Sequence, residues 1–577
     1  MLNAKRLLVF VVLFLPTLLD AQNPEDAAKE KLRRQTVLIE QIIADVPNMK
    51  LGESRAVAFS RLGSLVWRTD AKRGRALFER SISELNAALM YAEANQKTLR
   101  YQSELLTGQT TRPQILNNIA SRDAIWALDL LVQTRPAAIA KAMAMPERTG
   151  TKISNNSGGV NYLAQNEFNM EQSFIRLAAD QDPERAAKLL RDSLAKGISN
   201  ETINLLKKLA EKDPTSASAI ATEIVDKLIQ SKMLINDQPN YQVMQNSVNF
   251  LNDYINGMHV TDQALKFDES QMHRLADKLI AFYIDHGDRD GSYLYYSIVP
   301  ITEKLSPSSL ARVKEISKNA PRRGGFYVQD PEMQKLLNDD VTPDQMLASA
   351  AKFPENQRRQ IYQSAAGKFA AAGDMARARE VISDNFSDDA IDDAMRGLNW
   401  QFMNSLMSAG KFTEAEAVID DFPANSQGSA LVNLANNVYQ RDQAANKTYA
   451  VALLGKARQV IGDRPANSQD MSNLMQVVNS YITIDPAEAF RIYGGLMPQL
   501  NEIVDAAAVI NGFQGNGNIR DGEFLLSQGS ILSSYGVDQS LIRSLANVDF
   551  DQTMSLLDGF TRRETRIALK LQLAESL

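Results

Sequence analysis

Three histidines are the first residues that could hold a metal: His259, His273 and His286, spaced 14 and 13 residues apart. A zinc pair on a helix needs its two ligands about four residues apart on one face, and thiolates are excluded because the chain has no Cys. The spacing therefore predicts three unrelated side chains and no metal. The stretch "DHGDRDGSYLYYS" places Asp288, Asp290 and Gly291 as in part of a calcium loop. With Gly291 at the turn, His286 and Ser297 fall where such a loop needs a carboxylate and a bidentate Glu, so a polar inter-helix loop is the expectation. Ser193 and Lys196 have the spacing of a serine acyl-transfer pair, but they lie in an ordinary amphipathic stretch. HExxH, GxSxG and Walker-type loops are absent from the sequence. The catalytic, cofactor and metal residues expected are therefore none.

Aromatic side chains are the other candidates for a site. Trp67, Trp126 and Trp400 each sit in an amphipathic segment, which predicts core packing. Tyr293, Tyr295 and Tyr296 follow a Gly-containing break and predict either a contact patch or the start of a buried helix face. Carboxylates are plentiful, 69 Asp and Glu in all, and a pair working as acid and base has no signature in spacing alone.

The elements that carry these residues show in a repeated phrase. "VIDDFPANSQ" (418–427) and "VIGDRPANSQ" (460–469) share eight of ten positions, and "VISDNFSDDA" (381–390) is a third copy. Weaker copies begin at Lys352 and Lys318. Recurrence at about 33–42 residues is the mark of stacked helical hairpins. Val418 and Ile419 end an Ala-rich amphipathic stretch, Asp421 is placed to cap the next helix, and Pro423 falls in that helix's first turn. A second punctuation uses Asp-Pro: Asp182-Pro183, Asp213-Pro214 and Asp485-Pro486, with Asp549 lacking the proline. "RTDAKRGRALF" and "SRDAIWALDLL" are worn versions of it. Downstream of Asp213, the residues Ala217, Ile220, Ile224 and Leu228 share one helical face. Lys196-Gly197 marks a helix end and Asn200 the next cap. No sustained alternation or Asn-Gly hairpin is present, and "INGFQGNGN" is expected to be a loop. The fold class is therefore all-α, a right-handed α-solenoid of stacked antiparallel helix pairs.

Between 365 and 427 the segments "AGKFAAAGDMARAREVI" and "NSLMSAGKFTEAEAVI" resemble tetratricopeptide repeats. Gly373 and Gly410 match that family's inter-helix turn glycine, and Ala378 and Ala415 its small residue where the second helix approaches the first. Phe369 and Leu406 take the large position before the glycine. Met403 and Asn385 stand where the family has small residues, and its late proline is missing. The resemblance implies an interaction scaffold and no catalytic residues.

The first residues predict export. Lys5 and Arg6 precede an apolar run from Leu7 to Leu19, then Ala21; the run is shorter than the roughly 20 residues of a membrane span. No Cys is there to carry a lipid. Residues 1–21 are thus expected to be a signal peptide, the mature chain to start near Gln22, and its location to be periplasmic or extracellular. No later stretch has the length of a transmembrane segment. A Cys-free exported chain fits a bacterial source. Net charge is −6, or −7 once Lys5, Arg6 and Asp20 are removed, and no basic block offers a footprint for nucleic acid.

Gly-, Ser- and Pro-rich breaks divide the remainder into an N-terminal helical block (22–150), helical repeats (160–310) and tetratricopeptide-like repeats (320–577). The blocks are expected to stack into one curved body. The function expected is an exported scaffold without catalytic activity or cofactor that binds a protein or peptide partner on a curved surface. The alternatives are a cell-envelope glycan-processing enzyme or its accessory superhelical subunit, and a structural spacer.

Overall fold

The computed structural model describes residues 24–94, 100–144, 160–199, 201–235, 238–257, 265–286, 294–319, 331–338, 340–514, 519–526 and 538–577. The expected signal segment, Asn200, His259 and the acidic loop 287–292 lie outside the described residues. The first third holds α1 (Pro24–Asp45), α2 (Gly52–Trp67), α3 (Ala71–Ala94), α4 (Arg100–Ala120), α5 (Ala124–Gln133), α6 (Ala137–Ala144), α7 (Val160–Gln181) and α8 (Pro183–Leu194). Next come α9 (Thr202–Ala210), α10 (Pro214–Gln230), a hairpin of β1 (Leu234–Ile235) and β2 (Gln238–Pro239), α11 (Tyr241–Asn256), α12 (Glu269–His286), α13 (Tyr295–Leu305) and α14 (Leu310–Asn319). The chain continues with α15 (Pro331–Leu336), α16 (Pro343–Ala350), α17 (Glu355–Ala371), α18 (Met375–Asn385), α19 (Asp388–Ser408), α20 (Phe412–Val418), α21 (Ala424–Arg441) and α22 (Gln443–Ile461). It ends with α23 (Ser468–Ile484), α24 (Pro486–Gln514), a hairpin of β3 (Ile519–Arg520) and β4 (Glu523–Phe524), α25 (Gln539–Val548), α26 (Phe550–Asp558) and α27 (Arg563–Ser576). Most helices pack on the next, and many on the next but one, as α7 on α9, α17 on α19 and α21 on α23. This is an all-α solenoid, held by lateral burial between neighbours.

Asp punctuation does what its chemistry predicts except at Asp485, where the Glu488 amide bonds the backbone carbonyl. The side chains of Asp182, Asp213 and Asp549 accept hydrogen bonds from the amides of Arg185, Ser216 and Gln552, three residues into their helices. Asp70 and Asp123 do the same in the two worn copies. Ala217, Ile220, Ile224 and Leu228 are fully buried on one face of α10. Gly197, Gly373 and Gly410 all take positive φ just past helix ends.

The ten-residue phrase works differently from its expectation. Asp421 closes a short 3-10 turn and pairs with Arg379 instead of capping α21. Pro423 itself is the residue before α21, with no side-chain cap. In the second copy, Asp463 pairs with Arg458 and the cap of α23 is Asn467, which accepts from the Asp470 amide. "INGFQ" is also not loop: α24 runs through it to Gln514. Beyond it, Asp521 (φ 51°) and Gly522 (φ 75°) form the tight turn joining β3 to β4, because two left-handed residues in succession match the twist of a two-residue hairpin.

Successive layers are tied by lysines that reach back to the open end of an earlier helix. Lys278 donates to the carbonyl of Ile229 at 2.5 Å, Lys304 to Ile255 at 2.9 Å, and Lys368 to Asn338 and Val341, both at 2.7 Å. Lys278 and Lys304 satisfy carbonyls that a helix end leaves without partners, and Lys368 ties down the connection between α15 and α16.

The first and last described helices meet. Helix α27 packs against α1 and α2. Gln35 donates to the Ala574 carbonyl at 2.8 Å, and Arg61 grips Glu575 through two bonds of 2.6 and 2.7 Å. One buried cluster includes Leu38, Ile42 and Leu62 from the N-terminal side and Leu569, Leu571 and Ala574 from the C-terminal side.

Candidate functional site

Four helices, α19, α21, α23 and α25, present one side each to a common open groove of about 450 Å³. Trp400 comes from α19 at one edge. Helix α21 contributes Ser429, Val432, Asn433 and Asn436, and α23 contributes Ser472, Met475, Gln476, Asn479 and Ser480. Asp538, Ser540 and Leu541 come from the start of α25 at the other edge.

The two central helices carry the same pattern. Ser429 corresponds to Ser472, Val432 to Met475, Asn433 to Gln476 and Asn436 to Asn479, each pair 43 residues apart. Positions i, i+3, i+4 and i+7 form one helical stripe, so each helix turns an alternation of hydroxyl, apolar and amide groups to the groove. Leu431, Leu434, Leu474 and Val477 are buried behind them and fix the rotation of both helices. The side chains of Asn436, Gln476, Asn479 and Ser472 have no hydrogen-bond partner among the described residues. Each amide therefore offers a donor pair and an acceptor to whatever lies in the groove.

At its edges the groove differs. Trp400 is half-buried and packs edge-on against Phe422 at 5.1 Å; the rest of its ring faces the groove. Core packing, expected for this residue, is thus one of two roles it plays. Asp538 caps α25, its Oδ1 accepting from the amide and hydroxyl of Ser540 at 2.7 and 2.8 Å. Behind it lies the fully buried Tyr493, whose phenol is pushed up by burial and further by the Asp538 charge. Among the described residues, Asp538 is the one ionisable side chain lining the groove, and no pair of carboxylates is assembled among them there.

The residues first weighed for chemistry lie apart from this groove. His273 and His286 occupy opposite ends of α12. His273 Nδ1 lies 3.0 Å from the Leu305 carbonyl, and His286 Nδ1 lies 3.2 Å from that of Phe282, on whose ring it stacks. Among the described residues no group of three or more His, Asp or Glu is arranged for a metal. Ser193 is buried and accepts from Gln172 Nε2 at 3.0 Å, while Lys196 turns outward to Glu171 at 2.5 Å. The two are not a nucleophile and its base. Trp67 and Trp126 flank Phe78 at 5.8 and 6.3 Å, with the Arg75 guanidinium 4.1 Å over Trp126. Tyr295 opens α13, next to Tyr296; Tyr293 lies outside the described residues.

Apart from Trp400, the groove residues carry no signal at the separation of the repeated phrase. Comparing the two phrases at a separation of 42 stops at Gln427 and Gln469, because one residue more separates the stripes that follow. At 43 the signal is present: "SALVNLAN" against "SNLMQVVN".

No family model and no curated protein matches the chain. Among solved structures, one described as "Circular tandem repeat protein with novel repeat topology and enhanced subunit contact surfaces" is 14% identical over 91% of this chain and 99% of its own, with a TM-score of 0.18. At that score the likeness carries no argument.

Proposed function

We propose that the protein is an exported helical-repeat scaffold, without catalysis of its own, that binds an extended segment of a protein or peptide partner along the α19–α25 groove. The observation that carries this reading is the repeated stripe, in which Asn433, Asn436, Gln476 and Asn479 recur on adjacent helices with most of their amides unengaged. A peptide backbone presents a donor and an acceptor at every residue, and a row of side-chain amides can answer both. Adjacent helices lie about 8–10 Å apart, close to three extended residues of about 3.3 Å each. Successive rungs can therefore engage one strand without bending it. The lack of basic residues among the described lining argues against a partner held mainly by phosphate or carboxylate groups.

Trp400 beside amides and hydroxyls also suits the apolar faces and hydroxyls of a glycan, which keeps the accessory subunit of an envelope glycan-processing enzyme as a second reading. Export rests on the basic, apolar and small-residue order of residues 1–21. Capture from an envelope extract, using the chain from Gln22 onward, tests both readings. A protein retained by the native chain and lost with Asn436→Ala/Asn479→Ala is the expected result. Retention of purified glycan strands, with no protein retained, favours the second reading. Glycan hydrolysis by the purified chain overturns the first.

A further inference from the structure

The junction between the first and last described helices is built over a buried acid that makes no ion pair among the described residues. Three carboxylates meet there: Glu53 at the start of α2, Glu523 on β4 and Glu564 at the start of α27, exposed by only 3, 5 and 6%. Two of them have guanidinium partners. Arg520 pairs with Glu53, and Arg562 pairs with Glu564 at 2.7 Å and with Asp505 at 3.0 Å.

Among the described residues Glu523 has no such partner. Its Oε2 accepts from the Lys50 backbone amide at 2.7 Å, and its Oε1 is buried without a hydrogen bond. The cations of the adjoining turn hydrogen-bond other groups, and of them the Lys50 charge still acts on Glu523. The Lys50 ammonium lies 3.4 Å from the Asp521 carbonyl, Arg563 donates to the Asn48 carbonyl at 2.5 Å, and Arg55 bonds Met49, Lys50 and Glu84. A buried carboxylate with one oxygen unanswered costs free energy whenever it is charged and much less when it carries a proton.

We propose that Glu523 makes the end-to-end junction proton-sensitive, holding it shut in mild acid and loosening it as the pH rises. Burial pushes the Glu523 carboxyl above the usual carboxylate range; the Lys50 and Leu51 amides and the Lys50 charge oppose this, and the neighbouring Glu564 adds to it. When the junction opens, the carboxyl meets water and returns to its ordinary value. The closed form therefore binds the proton more tightly than the open one. Closure gains fully below the ordinary carboxylate pKa, and the gain is lost as pH climbs through the raised value of the closed form.

The chain has no Cys, so Lys31→Cys and Gln552→Cys give a clean site pair for two dyes across the junction. Arg34 stacks over the Phe550 ring at 5.1 Å, which places these two exposed positions close together. Energy transfer is read between about pH 5 and about pH 8, alongside amide exchange, corrected for its intrinsic pH dependence, in 48–54, 519–526 and 424–441. The expected result is a fall in transfer and in protection of the two junction segments as pH rises, with α21 unchanged. Glu523→Gln, which keeps the acceptor for the Lys50 amide, is expected to hold both readings at the acid level throughout. Three outcomes overturn the proposal: no change in the native chain, an equal change in α21, or the same pH dependence in Glu523→Gln. If that variant does not fold, the native titration still decides.

Discussion

Two kinds of glycine separate backbone demand from packing demand. Gly373 and Gly410 turn the chain between helices at φ 89° and 76°, and a Cβ added at either would meet nothing within 4 Å. Alanine there is expected to cost only the strain of a left-handed backbone, about 1 kcal/mol. Gly74 is different, since a Cβ would lie 2.8 Å from the Trp67 backbone where α2 and α3 cross. Gly74→Ala must push the two helices apart and is expected to cost about 1–3 kcal/mol. Urea titration of the three variants checks the order; equal losses would mean that the α2–α3 crossing is looser than its geometry implies. Beside these turns the packing demand falls on Ala378 and Ala415, which are fully buried, and on Phe369 and Leu406, which are nearly so.

Helix ends rest on short-range capping, and that is why they were legible. An Asp followed three residues later by an amide it can accept from is a local event, so Asp182, Asp213 and Asp549 could be read directly. Asp213→Ala is expected to destabilise by about 1 kcal/mol. The carboxyl of Asp213 is held below its usual range, first by its hydrogen bonds to Ser216. Its contribution is thus present above the ordinary Asp pKa and lost as pH falls through the lowered one, so the native–variant difference should vanish in strong acid. Thermal melts at neutral and acid pH check this. Other features left weaker traces. Asp421 looked like a cap because its spacing to the next helix was right, but Arg379 on α18 claims its carboxylate, a contact made across the stack. The β3–β4 hairpin carried an Asp-Gly signal between Ile-Arg and Glu-Phe, too short for any alternation to show. The groove stripe was hidden by the one residue by which its spacing differs from that of the phrase before it. Its test belongs here too: if Asn436 and Asn479 hold a partner, replacing both should remove binding while the melting profile stays that of the native chain.

Meeting of the ends leaves no local mark, because Leu38 and Leu569 are far apart in the sequence and each looks like any buried residue of an amphipathic helix. In an open array, the first and last repeats have one neighbour each and fray independently. Here α27 covers α1 and α2, and the β3–β4 hairpin bonds the turn before α2, so the first repeat has neighbours from both directions. Removing α27 (residues 563–577) separates the two cases. In an open array, amide protection would be lost near α25 and α26 only. With joined ends, the deletion strips the cover from Leu38, Ile42 and Leu62, and α1 and α2 should lose protection along with the C-terminal helices. Helices α8–α10, buried in a separate cluster running from Ala124 to Val313, should keep theirs. Native-state exchange with peptide-level readout measures all three regions in one experiment. Unchanged protection in α1 and α2 would show that the N-terminal repeat stands without its C-terminal neighbour, and that the joined ends add little to stability.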